Sequence, residues 1–329
     1  MKSSRTASSQ TLQTEPSFRA IKGRVIQSTG RRCIVQAEGG KTYECAIRGK
    51  FRIQEINSTN PVAVGDWVVI QVYAGEELGL VTELLPRKNY ILRKAVAQAH
   101  KVHILCANVD QALLLFTVDY PATSYGFADR FLLITTAFEI PTKVIINKID
   151  LLNQEEQLQK MEEVKGVYEK VGFEVMMMSS LDTSYRERVY GLLKDQVTFV
   201  GGHSGSGKST LINLVDPHYN IKTSDISHYT SKGRHTTTYA EMYPLQGGGY
   251  IIDSPGIKEL GIATFDKAEV SHNFPEMFKL LDQCRFNNCL HVNEPGCAVK
   301  AAVESGEIPE SRYQSYLSIL AEIDESISY

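Results

Sequence analysis

The sequence predicts an α/β protein with a small all-β barrel in front of it and a helical, cysteine-bearing segment behind it. Three observations carry that prediction. Between Ala20 and about Leu85, short apolar alternations separated by Gly, Asn and Pro read as barrel strands. After Pro86, apolar strand-length runs alternate with helical stretches, the texture of a mostly parallel sheet with helices on both faces. From about Phe265 the chain turns helical, and three of its six cysteines fall within fourteen positions.

Taken in order, residues 1–18 are polar, Ser/Thr/Gln-rich and poor in anything to bury, so a disordered tail is expected. Residues 19–85 hold GRVIQS, RCIVQAEG, TYECAIRG and DWVVIQVY, which supply four or five strands, with a turn at Gly30–Arg32 and a basic run of Arg48, Lys50 and Arg52. That matches an OB-fold, although period-2 alternation fits an SH3-like barrel equally well. Residues 86–264 offer strands at Ala112–Thr117, Lys143–Ile146, Glu174–Met178, Val197–Val200 and Tyr250–Ile252, with helices at Asp129–Phe138 and Gln154–Val171. Residues 265–329 form the third domain and end in an amphipathic stretch near Ser311–Ile323.

A chain of 329 residues, 43% hydrophobic, is long enough for two or three domains with cores. Net charge is -3, yet residues 1–100 carry 15 Lys+Arg against 8 Asp+Glu, a balance of +7 that leaves -10 for the rest. A basic front end suits a polyanion partner, and a solvated surface explains it equally well. No signal-peptide core opens the sequence, and no apolar run approaches the roughly 18 residues that span a bilayer. The protein is expected to be cytoplasmic and monomeric, with no membrane partner. Clustered cysteines in a reducing compartment point to metal binding and not to disulfides.

The most informative local string is GHSGSGKST, Gly202–Thr210, which fits G-x-x-x-x-G-K-[ST]. It follows the strand VTFVG and opens the helical run STLINLV, the context that makes such a string a P-loop. Gly202, Gly205 and Gly207 let the backbone curl. Successive N–H groups, those of His203, Ser204, Ser206 and Thr210 among them, can then face phosphate oxygens beside a helix N-terminus. Lys208 should reach the β- and γ-phosphates as a catalytic cation, and Ser209 should ligate Mg²⁺.

Asn147-Lys148-Ile149-Asp150 stands at the end of the strand KVII and fits the guanine-reading pattern N-K-x-D. The Asp150 carboxylate can accept from guanine N1–H and the exocyclic amine together, a donor pair that adenine lacks. Asn147 and the Lys148 stem would hold the ring. Asp253-Ser254-Pro255-Gly256 follows the strand YIID and fits D-x-x-G, with Asp253 reaching Mg²⁺ through water and the Gly256 amide sensing the γ-phosphate. Between this and the P-loop, GRHTTTYAE occupies the place of switch I, and Thr237 is the expected Mg²⁺ ligand among Thr236, Thr237 and Thr238. Ser179 and Ser180 follow the strand EVMMM, where a loop would touch the guanine carbonyl.

The order of these motifs is inverted relative to Ras, because N-K-x-D and Ser179-Ser180 precede the P-loop and DSPG comes last. The chain therefore reads as a circularly permuted Ras-like P-loop GTPase domain with an N-terminal all-β OB-fold barrel and a C-terminal helical zinc-binding domain. The zinc ligands are Cys284-x4-Cys289-x-His291-x5-Cys297, three thiolates and an imidazole that can close a tetrahedral site with no open position. An alternative leaves His291 at the surface, with water, Cys33 or Cys45 completing the set. Cys106, beside an apolar strand, reads as a small core residue.

The permuted core, the preceding barrel and the following Cys/His cluster resemble the RsgA (YjeQ) family, bacterial GTPases that depend on the small ribosomal subunit. HILCANVDQALLLF, GRHTTT and DSPGI are further matches, and the resemblance runs from Ile21 to the C-terminus. It implies a partner in the small ribosomal subunit and its rRNA, GTP turned over to GDP during late subunit maturation, and one structural Zn²⁺. After the DSPG glycine stands Ile257, so switch II offers no side chain to polarise water, and intrinsic hydrolysis should be slow. His235, beside the switch I threonines, can orient a water or accept its proton, or it can lie at the surface or on RNA. The resemblance implies the catalytic role. Arg234 is a second, weaker candidate for phosphate charge, and Gly205 stands where potassium-activated GTPases carry Asn. Two rival readings are an RNA-docking protein that barely hydrolyses GTP, and an ATPase or kinase with a fortuitous NKID.

Overall fold

The computed structural model describes residues 18–48, 60–73, 78–94, 102–221, 240–253 and 265–327. Its first five strands are β1 (Phe18–Ser28), β2 (Arg32–Ala37), β3 (Thr42–Ile47), β4 (Trp67–Tyr73) and β5 (Leu78–Leu84). They close in the order β1-β2-β3-β5-β4 and back to β1, with β3 and β5 the parallel pair. This is a five-stranded Greek-key barrel of the OB type. Alternate residues point inward, so Val25, Cys33, Val35, Cys45, Val68, Ile70 and Val81 fill the barrel. Cys33 and Cys45, opposite each other on β2 and β3, are therefore core residues and not metal ligands.

A hairpin of β6 (Tyr90–Lys94) and β7 (Val102–Ala107) leads out of the barrel. Ala107 donates its N–H to the Val64 carbonyl at 2.8 Å, and the Asn108 side chain donates to the Gly65 carbonyl at 3.1 Å. Gly65 has φ +90, and a Cβ there would lie 2.0 Å from the Ala107 carbonyl oxygen, so only glycine permits this approach. Cys106 is fully buried in β7 itself.

The α/β unit follows as β8 (Gln111–Thr117), α1 (Tyr125–Ala137), β9 (Thr142–Asn147), α2 (Glu155–Lys170), β10 (Glu174–Met177), α3 (Arg186–Leu193), β11 (Val197–Gly201), α4 (Lys208–Val215), β12 (Glu241–Pro244) and β13 (Tyr250–Asp253). The strands lie in the order β10-β9-β8-β11-β13-β12. All are parallel except β12, which runs against β13. Two apolar clusters cover the two faces. One holds Phe131, Leu132 and Tyr168 from α1 and α2, the other Val189, Leu211 and Ile212 from α3 and α4. The central strands are buried on both sides, which is why β8 and β11 read as unbroken apolar runs.

The barrel and this sheet are one hydrogen-bonded surface. After pairing with β4 and β2, β1 bridges to β12 at Gln27 and Glu241. The Arg24 guanidinium lies 4.5 Å from the Trp67 ring of the barrel and 5.1 Å from the Tyr250 ring of β13. The Tyr250 hydroxyl donates to Gln36 at 2.9 Å.

The chain ends in α5 (Lys267–Val270), α6 (Pro275–Phe278), α7 (Ala298–Glu304) and α8 (Glu310–Ile327). Apolar residues of this segment, including Phe274 just before α6, Val299, Tyr316 and Ile319, join the same cluster as Phe131 and Leu132 of α1. Charge is buried in this contact. Arg312 of α8, 1% exposed, donates to Asp129 of α1 at 2.7 Å and to both Glu276 oxygens at 2.7 and 3.2 Å. Among the described residues no helix is long and apolar enough to cross a membrane.

Candidate functional site

The described residues of the nucleotide motifs gather at the carboxyl ends of the parallel strands, at the point where the sheet's connections turn to opposite sides, which is where such sheets take their ligands. β11 ends at Gly201, and the loop that follows turns through Gly202, Gly205 and Gly207, all at positive φ, before α4 begins at Lys208. A Cβ on Gly207 would fall 2.3 Å from the Asn147 side-chain nitrogen. The loop is therefore pressed against the end of β9, and glycine is the residue that fits.

Lys208 is buried, and its ammonium donates to the carbonyls of Gly202 at 2.6 Å and His203 at 3.0 Å. Burial pulls its pKa down, and the nearby Asp253 carboxylate works against that. Asp253 closes β13 beside Val200 of β11, which puts a carboxylate next to the start of the phosphate loop. The hydroxyls of Ser206 and Ser209 are buried with no hydrogen-bond partner among the described residues. A buried orphan hydroxyl costs about 1–3 kcal/mol, and a ligand that uses it removes that cost. The Ser209 hydroxyl and the Asp253 carboxylate are hard oxygen donors of the kind Mg²⁺ takes.

The guanine-reading segment is held by its own polar atoms. The Asn147 amide nitrogen donates to the Ser206 carbonyl at 2.8 Å, and its oxygen accepts from the Ser180 N–H and hydroxyl, both at 2.9 Å. Asn147 is thus a strut that joins the phosphate loop to the Ser179-Ser180 loop. Lys148 adopts a left-handed conformation with φ 65, and its ammonium donates to the Tyr120 carbonyl at 2.6 Å. Asp150 follows in a short helical turn at Ile149–Leu151 and is exposed at the rim. Ser179 and Ser180 are buried, while Leu181 is 73% exposed and offers an apolar face beside them.

His235, Thr237 and Gly256, with Arg234, Thr236, Thr238 and Ile257, lie outside the described residues, as do Lys50 and Arg52. The structure bears on their neighbours only. β12 begins at Glu241, the last residue of the switch I string, and β13 delivers Asp253 at the start of DSPG.

The second constellation is Cys284, Cys289, His291 and Cys297, whose ligand atoms all lie within 4.8 Å of one another. His291 Nδ1 is 3.6 Å from the Cys284 sulfur and 3.4 Å from the Cys297 sulfur. Zn–S of about 2.3 Å and Zn–N of about 2.0 Å in a tetrahedron give S···N edges of about 3.5 Å, so the set fits that ion. Burial holds the His291 imidazole below its usual range, the neutral form a metal needs; it also pushes the Cys289 thiol up to about 12 without a metal, a shift that a coordinated cation would reverse by drawing out the thiolate. Cys297 caps α7, its sulfur accepting the Lys300 N–H at 3.5 Å. α8 closes the cluster from behind. Tyr313 and Tyr316 donate their hydroxyls to the His291 and Leu290 carbonyls, each at 2.7 Å.

Residues 84–263 match the RsgA GTPase family, and residues 22–81 match the RsgA N-terminal domain. The chain belongs to the RsgA family. It is a GTPase of that family, with its motifs in permuted order along β9, β10, β11 and β13. It is 45% identical over 305 residues to the small ribosomal subunit biogenesis GTPase RsgA of Phocaeicola vulgatus, covering 93% of this chain and 98% of that one. Against the protein of the same name from Flavobacterium psychrophilum the identity is 45% over 306 residues, 92% of this chain and 94% of that one. YjeQ from Thermotoga maritima superposes with a TM-score of 0.72 at 33% identity, over 93% of this chain and 99% of that one. YloQ, described as a circularly permuted GTPase, gives 0.70 at 29% identity, over 93% and 96%.

Sequence reasoning missed three features of this RsgA-family chain. Leu181 was hidden because a single exposed leucine carries no pattern. The threonines that touch the His203 ring, Thr117 and Thr123, belong to no motif. The Arg312 triad did leave a trace, since Arg312 is in helical register with Tyr316, Ile319 and Ile323 on an otherwise apolar stripe.

Proposed function

We propose that this chain binds the small ribosomal subunit late in its maturation, hydrolyses GTP to GDP and phosphate there, and is released as hydrolysis proceeds. The observation that carries the reading is the convergence of Asn147, Ser180, Lys208, Ser209 and Asp253 on one end of one sheet, in a chain that also has a basic front end over residues 1–100 and a Cys/His cluster. The name borne by relatives at 45% identity supplies the ribosomal part.

Residues 19–85 are the part that meets rRNA. Arg19, Lys22, Arg31, Lys41 and Arg48 are exposed on the barrel, a surface suited to a phosphate backbone. Residues 86–264 bind the nucleotide, with Asp150 reading guanine, the 202–210 loop cradling phosphate, and the Ser179-Ser180 loop beside the base. Ser209, Thr237 and, through water, Asp253 would hold Mg²⁺, which neutralises phosphate charge when bound. Lys208 supports charge on the γ-phosphoryl group, and His235 takes the proton of the attacking water. Residues 265–329 hold one structural Zn²⁺ between Cys284, Cys289, His291 and Cys297. The protein acts as a monomer in the cytoplasm.

Co-sedimentation tests the partner. With a non-hydrolysable GTP analogue the chain should pellet with isolated small subunits, and with GDP or with large subunits it should stay in the supernatant. Equal pelleting with both subunits, or none with either, would sink the ribosomal reading.

A further inference from the structure

The variable position after the first glycine of the phosphate loop is His203, and its ring does not face the loop's concavity alone. Nδ1 lies 2.8 Å from the Ser204 carbonyl, and Nε2 lies 2.7 Å from the Thr123 hydroxyl and 3.2 Å from that of Thr117. A carbonyl only accepts, so Nδ1 carries the proton, Nε2 is the acceptor, and Thr123 is its donor. The two threonines that receive the ring are buried, and their polar atoms are hydrogen-bonded within the corner. Thr123 Oγ1 accepts the Thr117 N–H at 3.0 Å, the Thr123 N–H closes on the Thr117 carbonyl at 2.7 Å, and the Thr117 hydroxyl is committed to the Pro121 carbonyl at 2.6 Å. The Phe127 ring of α1 stands edge-on to the imidazole at 5.9 Å.

The backbone of the same residue holds the cation. The His203 carbonyl accepts from Lys208 Nζ at 3.0 Å and from the Ser206 N–H at 3.2 Å. Lys148 reaches the same corner from the base side, through the Tyr120 carbonyl. The segment between β8 and α1 is therefore shared by the base-reading and phosphate-binding parts, and the His203 ring is the side-chain bond that fastens the phosphate loop to it.

We propose that the His203 imidazole is a positioning residue for nucleotide phosphate, latching the phosphate loop to Thr123 just ahead of α1 and so fixing the carbonyl that steers Lys208. The proposal rests on the guanine-nucleotide reading of the site. Removing either partner frees the loop to leave its binding shape, and the affinity lost is bounded by the worth of one neutral hydrogen bond, roughly three- to tenfold.

The test is a double-mutant cycle read by titration with a fluorescent GDP and with a non-hydrolysable GTP analogue. His203→Ala and Thr123→Val should each weaken binding about three- to tenfold, and the double variant should bind no more weakly than the weaker single. His203→Gln, whose amide can accept the same hydroxyl proton, should regain most of the loss, and Thr123→Ser should bind like wild type. Thermal melts on the same samples separate a lost fold from a lost latch. Singles with wild-type affinity, losses that add in the double variant, or a defective Thr123→Ser would overturn the latch while the nucleotide reading stands. A wild type that binds no guanine nucleotide would remove both.

Discussion

At the scale of single residues, the base site shows what a motif says and what it leaves out. N-K-x-D marked Asn147 as a group that holds the ring, and the structure gives its amide three protein partners on the phosphate loop and the Ser180 loop. A string records which residue types a site needs, not which of their atoms bond to protein. Asp150 is different, because it stands exposed at the rim with the donor pair of guanine as its natural complement. Asp150→Asn should weaken GTP binding by about 10–100-fold and raise affinity for xanthine nucleotides, whose ring presents an acceptor in place of the amine. Competition titrations with GTP, XTP and ATP measure it. An ATP affinity equal to that of GTP in the wild type would count against base recognition by Asp150. His203 was legible only as one member of a loop, since nothing in the sequence pairs position 203 with 123. That contact is made by the fold.

At the scale of elements, strands were read where their periodicity was pure and missed where it was not. β8, β9 and β11 are buried on both faces and appear as plain apolar runs, whereas β12, four residues with a terminal proline, carries no run at all. The helix near Ser311–Ile323 was visible, but its tertiary role was not, because an arginine inside an apolar stripe needs partners from elsewhere in the chain. Breaking a buried ion pair costs about 3–5 kcal/mol, since the remaining charges are stranded. Arg312→Ala should therefore lower unfolding free energy by about that amount, while Arg312→Met combined with Asp129→Leu and Glu276→Met should come close to wild type. Denaturant titration reads both, and a mild Arg312→Ala would mean that water reaches Asp129 and Glu276. The proximity of the three cysteines and His291 was legible because all four sit within one short segment. Protein purified without added zinc should carry about one equivalent of metal, falling well below that in Cys297→Ala, as measured by elemental analysis. Since Tyr313 and Tyr316 tie α8 to the same loop, hydrogen exchange should quicken in α8 of that variant as well. Unchanged protection of α8 would separate the cluster from the helix that closes it.

At the scale of the whole molecule, composition and spacing pointed to three parts, and the structure shows how closely the parts are built together. β1 leaves the barrel and bridges to β12, the strand that begins where the switch I string ends, and Arg24 lies between the barrel's Trp67 and Tyr250 of the strand that leads to Asp253. The C-terminal helices share their core with α1. No sequence pattern reports such contacts, because each depends on surfaces that meet only after folding. They matter here because both flanking parts rest on elements that begin or end at the nucleotide site. Such a machine is expected to idle alone, with Ile257 in place of a water-orienting side chain, and to turn over when its partner completes the site. The most direct test is GTP turnover by the full chain with and without isolated small and large ribosomal subunits, with His235→Ala measured alongside under saturating GTP. Small subunits alone should raise the rate, and His235→Ala should lose about 10²–10⁴-fold of the stimulated rate with GTP affinity retained. A rate that is fast without subunits, or raised equally by large ones, would contradict the account.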